Sequence, residues 1–296
     1  MDKIKRTLGF IFTHPLGKRH PFKSLLRFVV WQLQSMISPA KLISKSFIKP
    51  VRFYACKGLT GITGNIYVGL HEFNDMAFLL HFLRTDDYFF DIGANVGSYS
   101  LLASGVCNAK SITIEPVVST FELLTQNIAL NQLEHKVRLI NSGAGAEMGM
   151  ISFSCAEDTT NHVISENEAG IANIKASVIT IDSLLTDGQP LLIKIDVEGY
   201  ETEVLKGMKE TLSTSSLKAI IIELNGSGSR YGFDEKNIHE LLMLNNFKPY
   251  NYDPFTRLLT ELPLYGDYNT IYCRDLDFVN NRLEHATGIK IMGELI

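Results

Sequence analysis

The sequence predicts an α/β protein built on an open sheet. Four short apolar segments that suit buried strands begin at Tyr88, Ser111, Leu191 and Ala219, and each ends in acidic or amide side chains. Ligands of open α/β sheets bind at the carboxyl ends of the strands, so these side chains are expected to line one site. With 296 residues, 45% of them hydrophobic, the chain can bury one large core and carry an additional segment.

A helix, a hairpin and a second helix are predicted ahead of the first of these strands. Residues 21–37 begin with a proline, which suits the first position of a helix. Residues 51–55 and 65–68, joined by KGLTGITG, are predicted to pair as a hairpin. The apolar spacing over residues 76–83 predicts a helix that ends before Thr85.

The later part of the chain is predicted to alternate between helices and strands. Helices are predicted over residues 118–130, 201–212 and 234–244. Further strands are predicted over residues 137–140, 150–154, 177–181, 247–252 and 268–274. Residues 150–154 and 177–181 are expected to pair around the polar segment between them, and the last two strands are expected to pair antiparallel.

The most informative segment is residues 88–97, YFFDIGANVG, in which a buried strand runs into a glycine-containing loop before a helix. Gly93 and Gly97 allow backbone angles and a close ligand approach that a Cβ atom would block. The loop and the N–H groups of the following helix therefore suit a nucleotide-type cofactor. A dinucleotide fingerprint needs glycine where Asn95 stands and a third glycine further on, which argues against the alternative of a dinucleotide-dependent oxidoreductase.

Polar residues also follow the next two strands. Residues 111–116, SITIEP, bring a strand to Glu115, whose carboxylate can accept hydrogen bonds from two ribose hydroxyls. Asn141 and Ser142 follow the third strand and can face an adenine, although both residue types also favour turns for local reasons.

The segments DIGANVGSYS, TIEP, IKIDVEGYE and IIELNG, in this order, resemble the FkbM family of methyltransferases over about residues 64–275. The resemblance implies a Rossmann-like class I methyltransferase fold, with a mostly parallel seven-stranded sheet and helices on both faces. It also implies S-adenosyl-L-methionine as the cofactor and a hydroxyl of a saccharide, glycolipid or natural product as the acceptor. Asp91 and the backbone of residues 93–97 are then expected to hold the methionine portion, and Glu115 the ribose.

Residues 191–199, LLIKIDVEG, supply the main candidates for catalysis. Asp196 ends a central strand close to Gly199 and is predicted to take the proton of an acceptor hydroxyl or to position the acceptor. Glu198 can share this role, or it can simply favour the N-terminus of the next helix. Lys194 is expected on the same strand face as Asp196, where it touches the substrate or forms a structural ion pair.

Acidic and amide groups on the neighbouring strand allow a metal site. Glu223 and Asn225 end that strand, so with Asp196 they can bind Mg²⁺, or they can bind substrate hydroxyls directly. His162 lies in a polar segment, residues 156–170, that is a candidate substrate-facing loop, and it is either a base or an exposed loop residue. No Ser-His-Asp or Cys-His arrangement is indicated, so hydrolytic and thiol catalysis are not predicted.

Residues 1–50 are predicted to form a basic helical extension to a methyltransferase domain over residues 51–296. The extension holds ten Lys or Arg and one acid, so it carries +9 while the rest of the chain carries −13. Its main helix is apolar but falls short of the ~20 residues that span a bilayer. Two interpretations are open: the helix packs on the domain or a second subunit, or it contacts a membrane surface, either in an enzyme or as the anchor of a non-catalytic binding protein.

Cysteine usage and the amino terminus bear on the compartment. The four cysteines are scattered without a CxxC pair, so neither a zinc site nor a disulfide framework is predicted. The first residues lack the apolar core of a signal peptide. We therefore expect a cytoplasmic protein, with peripheral contact at the inner face of the membrane and homo-oligomerisation both open. Nucleic acid is not expected as a partner, because the basic residues are not interleaved with a base-stacking platform.

Overall fold

The computed structural model describes residues 2–38, 41–154, 162–164 and 173–296. Three helices come first: α1, Asp2–Thr13; α2, Pro15–Arg19; and α3, Pro21–Ile37. Strands β1, Ile43–Ser46, and β2, Arg52–Ala55, follow and pair antiparallel. Within the described ranges, no helix is both long enough and apolar enough to cross a bilayer.

The predicted pairing of residues 51–55 with residues 65–68 is wrong, because β2 pairs with β1 instead. Residues 65–68 lie in helix α4, Thr60–Val68. The β-branched side chains of Ile66 and Val68 suggested a strand, but both are buried on this helix. Packing in the core here outweighs the strand preference of β-branched residues.

Seven further α-helices follow α4 in the described part of the chain. They are α5, Phe73–Phe82; α6, Ser98–Gly105; α7, Val118–Leu130; α8, Glu201–Lys206; α9, Lys209–Ser213; α10, Glu235–Leu244; and α11, Leu276–Glu284. Residues 201–212, predicted as one helix, form α8 and α9. The break lies at Gly207, where a Cβ atom would come within 2.0 Å of the carbonyl oxygen of Gly145. The close approach of the backbone at Gly145 to the backbone at Gly207 therefore ends the helix.

The remaining strands form one large sheet and two small ones. They are β3, Tyr88–Ile92; β4, Lys110–Ile114; β5, Val137–Ile140; β6, Gly143–Ala144; β7, Gly149–Ser154; β8, Asn173–Ile179; β9, Leu192–Ile195; β10, Ala219–Glu223; β11, Lys248–Asp253; β12, Leu258–Glu261; β13, Asn269–Cys273; β14, Lys290–Ile291; and β15, Glu294–Leu295. The large sheet has the order β12-β11-β13-β10-β9-β3-β4-β5.

The large sheet confirms the Rossmann-like α/β class. Strands β5, β4, β3, β9 and β10 are parallel, and β13 is antiparallel to both of its neighbours. β11 and β13 pair as predicted, and β12 adds an eighth strand at the edge beyond the seven predicted. Strand β3 lies between β4 and β9, so the strand order reverses beside it. Ligands bind at such a reversal in open α/β sheets.

A small sheet of β6, β8 and β7 lies after β5. β7 and β8 pair antiparallel, which confirms the paired strands predicted near residues 150–154 and 177–181. Of the predicted substrate-facing loop, residues 156–170, only residues 162–164 belong to the described part of the chain.

Apolar side chains cover both faces of the large sheet. The consecutive residues Phe89 and Phe90 of β3 are both fully buried and belong to different core clusters, as the alternation of side chains along a strand requires. Ile11, Leu16 and Trp31 from the first three helices join the cluster that contains Phe89. The basic extension therefore packs on the domain through one of its surfaces.

Candidate functional site

A cavity of about 270 Å³ lies at the carboxyl ends of β3, β4, β9 and β10. Its size is close to the lower end of the ~300–1,000 Å³ that is usual for small-molecule sites. Nine of the eleven residues predicted to form the site line this cavity: Asp91, Gly93, Asn95, Glu115, Ser142, Lys194, Asp196, Glu198 and Glu223. Within the described chain, Gly97 and Asn141 are not among its lining residues.

The loop after β3 is held in a conformation that needs its residue types. Gly93 has a φ of +79°, and a Cβ atom there would come within 1.8 Å of the carbonyl oxygen of Asp196. Asn95 also has a positive φ, 51°, which asparagine tolerates, and its Oδ1 accepts a hydrogen bond from Val96 N at 2.8 Å. The loop after β3 therefore packs directly on the loop after β9.

Gly97 and Asn141 support the cavity from behind. A Cβ atom at Gly97 would come within 2.5 Å of Leu124 Cδ1, so its glycine is needed for packing against α7. Asn141 Nδ2 donates hydrogen bonds to the carbonyl oxygens of Glu115 at 2.8 Å and Pro116 at 3.1 Å. The structure thus gives both residues a role in holding the loops that form the cavity.

Asp91 is a buried carboxylate at the end of β3. Its Oδ2 accepts hydrogen bonds from the backbone N of Ser100 at 3.0 Å and from Ser100 Oγ at 2.6 Å. Burial raises the pKa of Asp91 to about 6, and the hydrogen bonds from Ser100 partly oppose this shift. Asp91 therefore joins the end of β3 to the first turn of α6 at the wall of the cavity.

Glu115 is a second buried carboxylate, at the end of β4. Its Oε2 accepts a hydrogen bond from Asn95 N at 3.0 Å, and its Oε1 accepts one from Val117 N at 2.9 Å. Burial raises its pKa to about 7, and these two hydrogen bonds partly oppose the shift. Each carboxylate oxygen has a second lone pair, so Glu115 can still accept hydrogen bonds from a ligand.

Three carboxyl groups and one ammonium meet at the ends of β9 and β10. Lys194 Nζ donates a hydrogen bond to Asp196 Oδ2 at 3.0 Å. Carboxylate oxygens of Asp196, Glu198 and Glu223 lie within 4.8 Å of one another. Asn225, which was predicted in this group, is exposed instead, and its Oδ1 accepts a hydrogen bond from Ser227 N. Glu198 has a positive φ of 56°, which turns the chain after β9. The Glu198 carboxylate is therefore the third oxygen group of the cluster, the position predicted for Asn225.

The environment shifts the protonation of this acidic cluster. Burial and the nearby Asp196 raise the pKa of Glu198 to about 7 and also raise the pKa of Glu223 well above its ordinary value. Burial alone would lower the pKa of Lys194, but the carboxylates of Asp196 and Glu72 outweigh it and raise that pKa. Near neutral pH the cluster therefore combines an ammonium with a protonated Glu223.

The oxygen atoms of this cluster can serve two purposes. Three carboxyl groups at this spacing are suitable ligands for a hard divalent cation such as Mg²⁺. The same oxygens can accept hydrogen bonds from substrate hydroxyls. The ammonium of Lys194 competes with a metal ion for the cluster, because it already neutralises Asp196.

A polar network beside Lys194 was not predicted from the sequence. Tyr99 Oη donates a hydrogen bond to Glu72 Oε2 at 2.7 Å. Asn269 Nδ2 donates to Glu72 Oε1 at 2.9 Å and to Asp75 Oδ2 at 3.3 Å. Glu72 and Tyr99 line the cavity. These residues come from the start of α5, from α6 and from β13, so no local sequence pattern connects them.

His162 is buried, contrary to the expectation of an exposed loop residue. Its backbone N donates a hydrogen bond to Ser154 Oγ at 3.0 Å. The neighbouring side chains of Val163 and Phe153 line the cavity, but His162 is not among the lining residues of the described chain. The described side chains of residues 153 and 163 therefore make this part of the wall apolar.

Two curated methyltransferases are similar to this chain. Hexuronic acid methyltransferase AglP of Haloferax volcanii is 32% identical over 167 residues, which make up 55% of this chain and 64% of that protein. Methyltransferase sdnD of Sordaria araneosa is 24% identical over 172 residues, with 47% of this chain and 66% of that protein covered. The chain thus spans just under two thirds of the length of either relative.

The chain also superposes on a solved structure, the SAM-dependent methyltransferase from Agrobacterium tumefaciens, with a TM-score of 0.43 and 11% identity. The superposition covers 79% of this chain and 70% of that chain. The family model of the Methyltransferase FkbM domain matches residues 91–253, which is more than half of the chain and includes every strand end that lines the cavity. This chain therefore belongs to the FkbM family of methyltransferases, with S-adenosylmethionine as its cofactor.

Proposed function

We propose that this chain transfers the methyl group of S-adenosylmethionine to a hydroxyl oxygen of a saccharide acceptor. The placement of Asp196 carries the proposal. Its carboxylate lines the same cavity as Glu115 and the loop after β3, and it accepts a hydrogen bond from the buried Lys194. The residues assigned to the cofactor and the carboxylate assigned to accept the proton therefore line the same cavity.

The residues present fit the cofactor. The cavity wall combines apolar side chains, among them Val96 and Ile114, with buried carboxylates, as a nucleoside that carries a charged amino-acid tail requires. We assign Glu115 to the ribose hydroxyls and Asp91, with the backbone of residues 93–97, to the methionine portion. Ser142 lines the cavity and is assigned to the side of the adenine.

Methyl transfer to an alcohol requires a base, because the hydroxyl oxygen must lose its proton as it bonds to carbon. S-adenosylmethionine, when bound, supplies a methyl group activated by its positively charged sulfur. The S–CH₃ bond breaks while the O–CH₃ bond forms, and we assign the released proton to Asp196. Lys194 orients the Asp196 carboxylate through their hydrogen bond. The products are S-adenosylhomocysteine and a methyl ether.

The acids beside Asp196 favour an acceptor with several hydroxyls. Burial and Asp196 raise the pKa values of Glu198 and Glu223. A protonated carboxyl group both donates and accepts hydrogen bonds, so these two side chains can bind hydroxyls next to the one that reacts. A saccharide presents neighbouring hydroxyls in this way.

The similarity to a protein named hexuronic acid methyltransferase also supports a saccharide acceptor. We therefore choose glycans that contain hexuronic acid as the first acceptors to test, with hydroxylated natural products as the second set. The expected product is an alkali-stable methyl ether. An alkali-labile methyl ester would instead place the methyl group on a carboxylate and contradict the proposed hydroxyl acceptor.

Cofactor binding is tested first, by calorimetric titration of the full chain with S-adenosylhomocysteine and with NAD. We expect saturable binding of S-adenosylhomocysteine and none of NAD. Binding of NAD alone would favour the alternative of a dinucleotide-dependent oxidoreductase. Absence of binding by a folded protein would favour a non-catalytic role.

The catalytic role of Asp196 is tested with Asp196→Asn. Turnover is expected to fall about 10²–10⁴-fold, which is the usual contribution of a general base, while the affinity for S-adenosylhomocysteine stays unchanged. Glu122→Gln, an exposed acid on α7, is the matched control and should retain full turnover. Persistence of turnover in Asp196→Asn would show that another group, with Glu198 first in line, takes the proton.

A further inference from the structure

Helix α3 has two opposite faces in different surroundings. Four of its side chains are buried against the rest of the protein: Ser24, Phe28, Trp31 and Ser35. The opposite side carries seven apolar side chains that are exposed to solvent: Phe22, Leu26, Val29, Val30, Leu33, Met36 and Ile37. We call these seven residues the α3 stripe. Its end residues, Phe22 and Ile37, are 88% and 82% exposed.

The α3 stripe is continuous along the helix. At 3.6 residues per turn, its seven positions fall within about one third of the helix circumference. The helix has 17 residues, which corresponds to about 25 Å at ~1.5 Å per residue. Single exposed apolar residues are normal, but a contiguous apolar surface of this length marks a region that another molecule or a membrane covers.

The chain segment that contains the α3 stripe carries one sign of charge, and its Arg19 and His20 contact Glu294 from the last strand. Residues 3–71 contain twelve Lys or Arg and neither Asp nor Glu, whereas the rest of the chain contains sixteen Lys or Arg and 32 acids. Several of these cations are exposed, among them Lys5, Arg6, Lys18 and Lys41. The molecule or membrane that covers the α3 stripe is therefore expected to have an apolar interior for the stripe and anionic groups on its surface for the cations.

Two cations on α3 itself connect the helix to the end of the chain. Lys23 and Arg27 lie between the α3 stripe and the buried face of the helix. Lys23 Nζ donates a hydrogen bond to the carbonyl oxygen of Met292 at 2.8 Å, and the Arg27 guanidinium contacts Met292 Sδ. The helix is thus formed and anchored before it meets any partner, which removes the entropic cost of folding on binding.

We propose that the α3 stripe binds the surface of an anionic phospholipid bilayer, with the helix axis parallel to the membrane. The seven apolar side chains enter the boundary between headgroups and acyl chains, and the cations of residues 3–71 contact anionic headgroups. A second copy of the chain suits this surface less well, because pairing two stripes would bring two acid-free, positively charged segments together.

The experiment is flotation of the full-length protein with two kinds of vesicle, one of phosphatidylcholine alone and one that also contains phosphatidylglycerol. We expect at least tenfold more protein on the anionic vesicles at low salt, and a decrease as salt screens the cations. The double variant Leu26→Gln/Leu33→Gln should lose at least tenfold in vesicle binding. Leu244→Gln, an 81% exposed leucine on α10, is the matched control and should bind like the unchanged protein.

Light scattering and a cofactor titration complete the test. Equal affinity for S-adenosylhomocysteine in all variants would show that they are folded, and if the unchanged chain does not bind this compound, equal thermal unfolding temperatures serve instead. The proposal is overturned if the unchanged protein does not bind anionic vesicles, or if the double variant binds them equally well. A dimer that the double variant breaks, without vesicle binding, would instead identify the stripe as an interface between copies.

Discussion

Lys194 Nζ lies 3.0 Å from Asp196 Oδ2, and the Lys194 side chain is 2% exposed whereas that of Asp196 is 30% exposed. The two residues are two positions apart, at the end of β9, so the strand holds the ammonium inside the protein and the carboxylate at the cavity. Tyr99 lies beside the same ammonium, with Nζ 5.4 Å from the centre of its ring. This arrangement presents one face of Asp196 to a ligand while its other side is held in place.

Replacement of Lys194 tests the contribution of this ion pair to stability. Lys194→Met leaves the Asp196 carboxylate without its cation. We expect a loss on the order of 2 kcal/mol in the free energy of unfolding, less than the ~3–5 kcal/mol of a fully buried pair because Asp196 is partly exposed. Urea denaturation measures this change.

A matched control is Lys206→Met, which breaks the exposed pair of Lys206 with Glu203. Exposed pairs contribute about 0–1 kcal/mol, so this variant should unfold at nearly the same urea concentration as the unchanged protein. Equal stability of the Lys194 and Lys206 variants would contradict a structural role for the Lys194–Asp196 pair.

Glu115→Gln tests the assignment of Glu115 to the ribose. The amide keeps the size of the side chain but replaces one acceptor oxygen with a donor, so we expect at least a tenfold loss of affinity for S-adenosylhomocysteine. Stability is also expected to fall, by about 1–3 kcal/mol, because the amide nitrogen cannot accept one of the two hydrogen bonds that Asn95 N and Val117 N now donate to Glu115. Isothermal calorimetry measures the affinity, and unchanged binding would remove Glu115 from the cofactor site.

Stability is expected to decrease between pH 6.5 and 8.5. Burial raises the pKa of Asp91 to about 6 and the pKa values of Glu115 and Glu201 to about 7. In the unfolded chain these acids titrate near pH 4, so the folded chain holds more protons and loses stability as the pH rises through the folded pKa values. We expect a decrease of about 1–3 kcal/mol, measured by urea denaturation of the protein without cofactor.

The chosen pH range limits an opposing effect. Burial lowers the pKa values of His14 and His81 to about 4, so the unfolded chain takes up protons at these residues as the pH falls towards and below 6.5. Between pH 6.5 and 8.5 each histidine therefore opposes the decrease by about 0.4 kcal/mol, which is less than the acids contribute together. A stability that rises steadily from pH 6.5 to 8.5 would contradict the protonation of the buried acids.

Gly93→Ala tests the packing of the cofactor loop. Gly93 has a φ of +79°, and its new Cβ atom would meet the carbonyl oxygen of Asp196. Gly232 has a similar φ of +74° with open space around it, so Gly232→Ala carries the backbone strain without the clash. We expect Gly93→Ala to be less stable than Gly232→Ala by about 1–3 kcal/mol and to bind S-adenosylhomocysteine more weakly.

Thermal unfolding and cofactor titration of both variants measure these effects. Suppose that Gly93→Ala and Gly232→Ala were equally stable and bound S-adenosylhomocysteine with equal affinity. The loops after β3 and β9 could then move apart to make room for the new Cβ atom without any loss of stability. The close contact between them would then have no role in shaping the cavity.

Several site residues could be predicted because their signals are local. Asp91, Glu115 and Asp196 each follow an apolar segment that is read directly along the chain. Parallel strands end at one edge of a sheet, so the strand pattern alone brings these three carboxylates to one cavity. Their partners could not be predicted in the same way: Asn269 reaches Glu72 from 197 positions away.

The clearest contrast concerns helices α3 and α4. The sequence by itself determined that residues 21–37 form a helix that is apolar on most of its surface. Only the tertiary structure decided which side of α3 faces the core, and it made α4 a helix where β-branched residues suggested a strand. Local patterns determine where strands, loops and most helices begin, whereas burial depends on contacts between residues that are distant in the sequence.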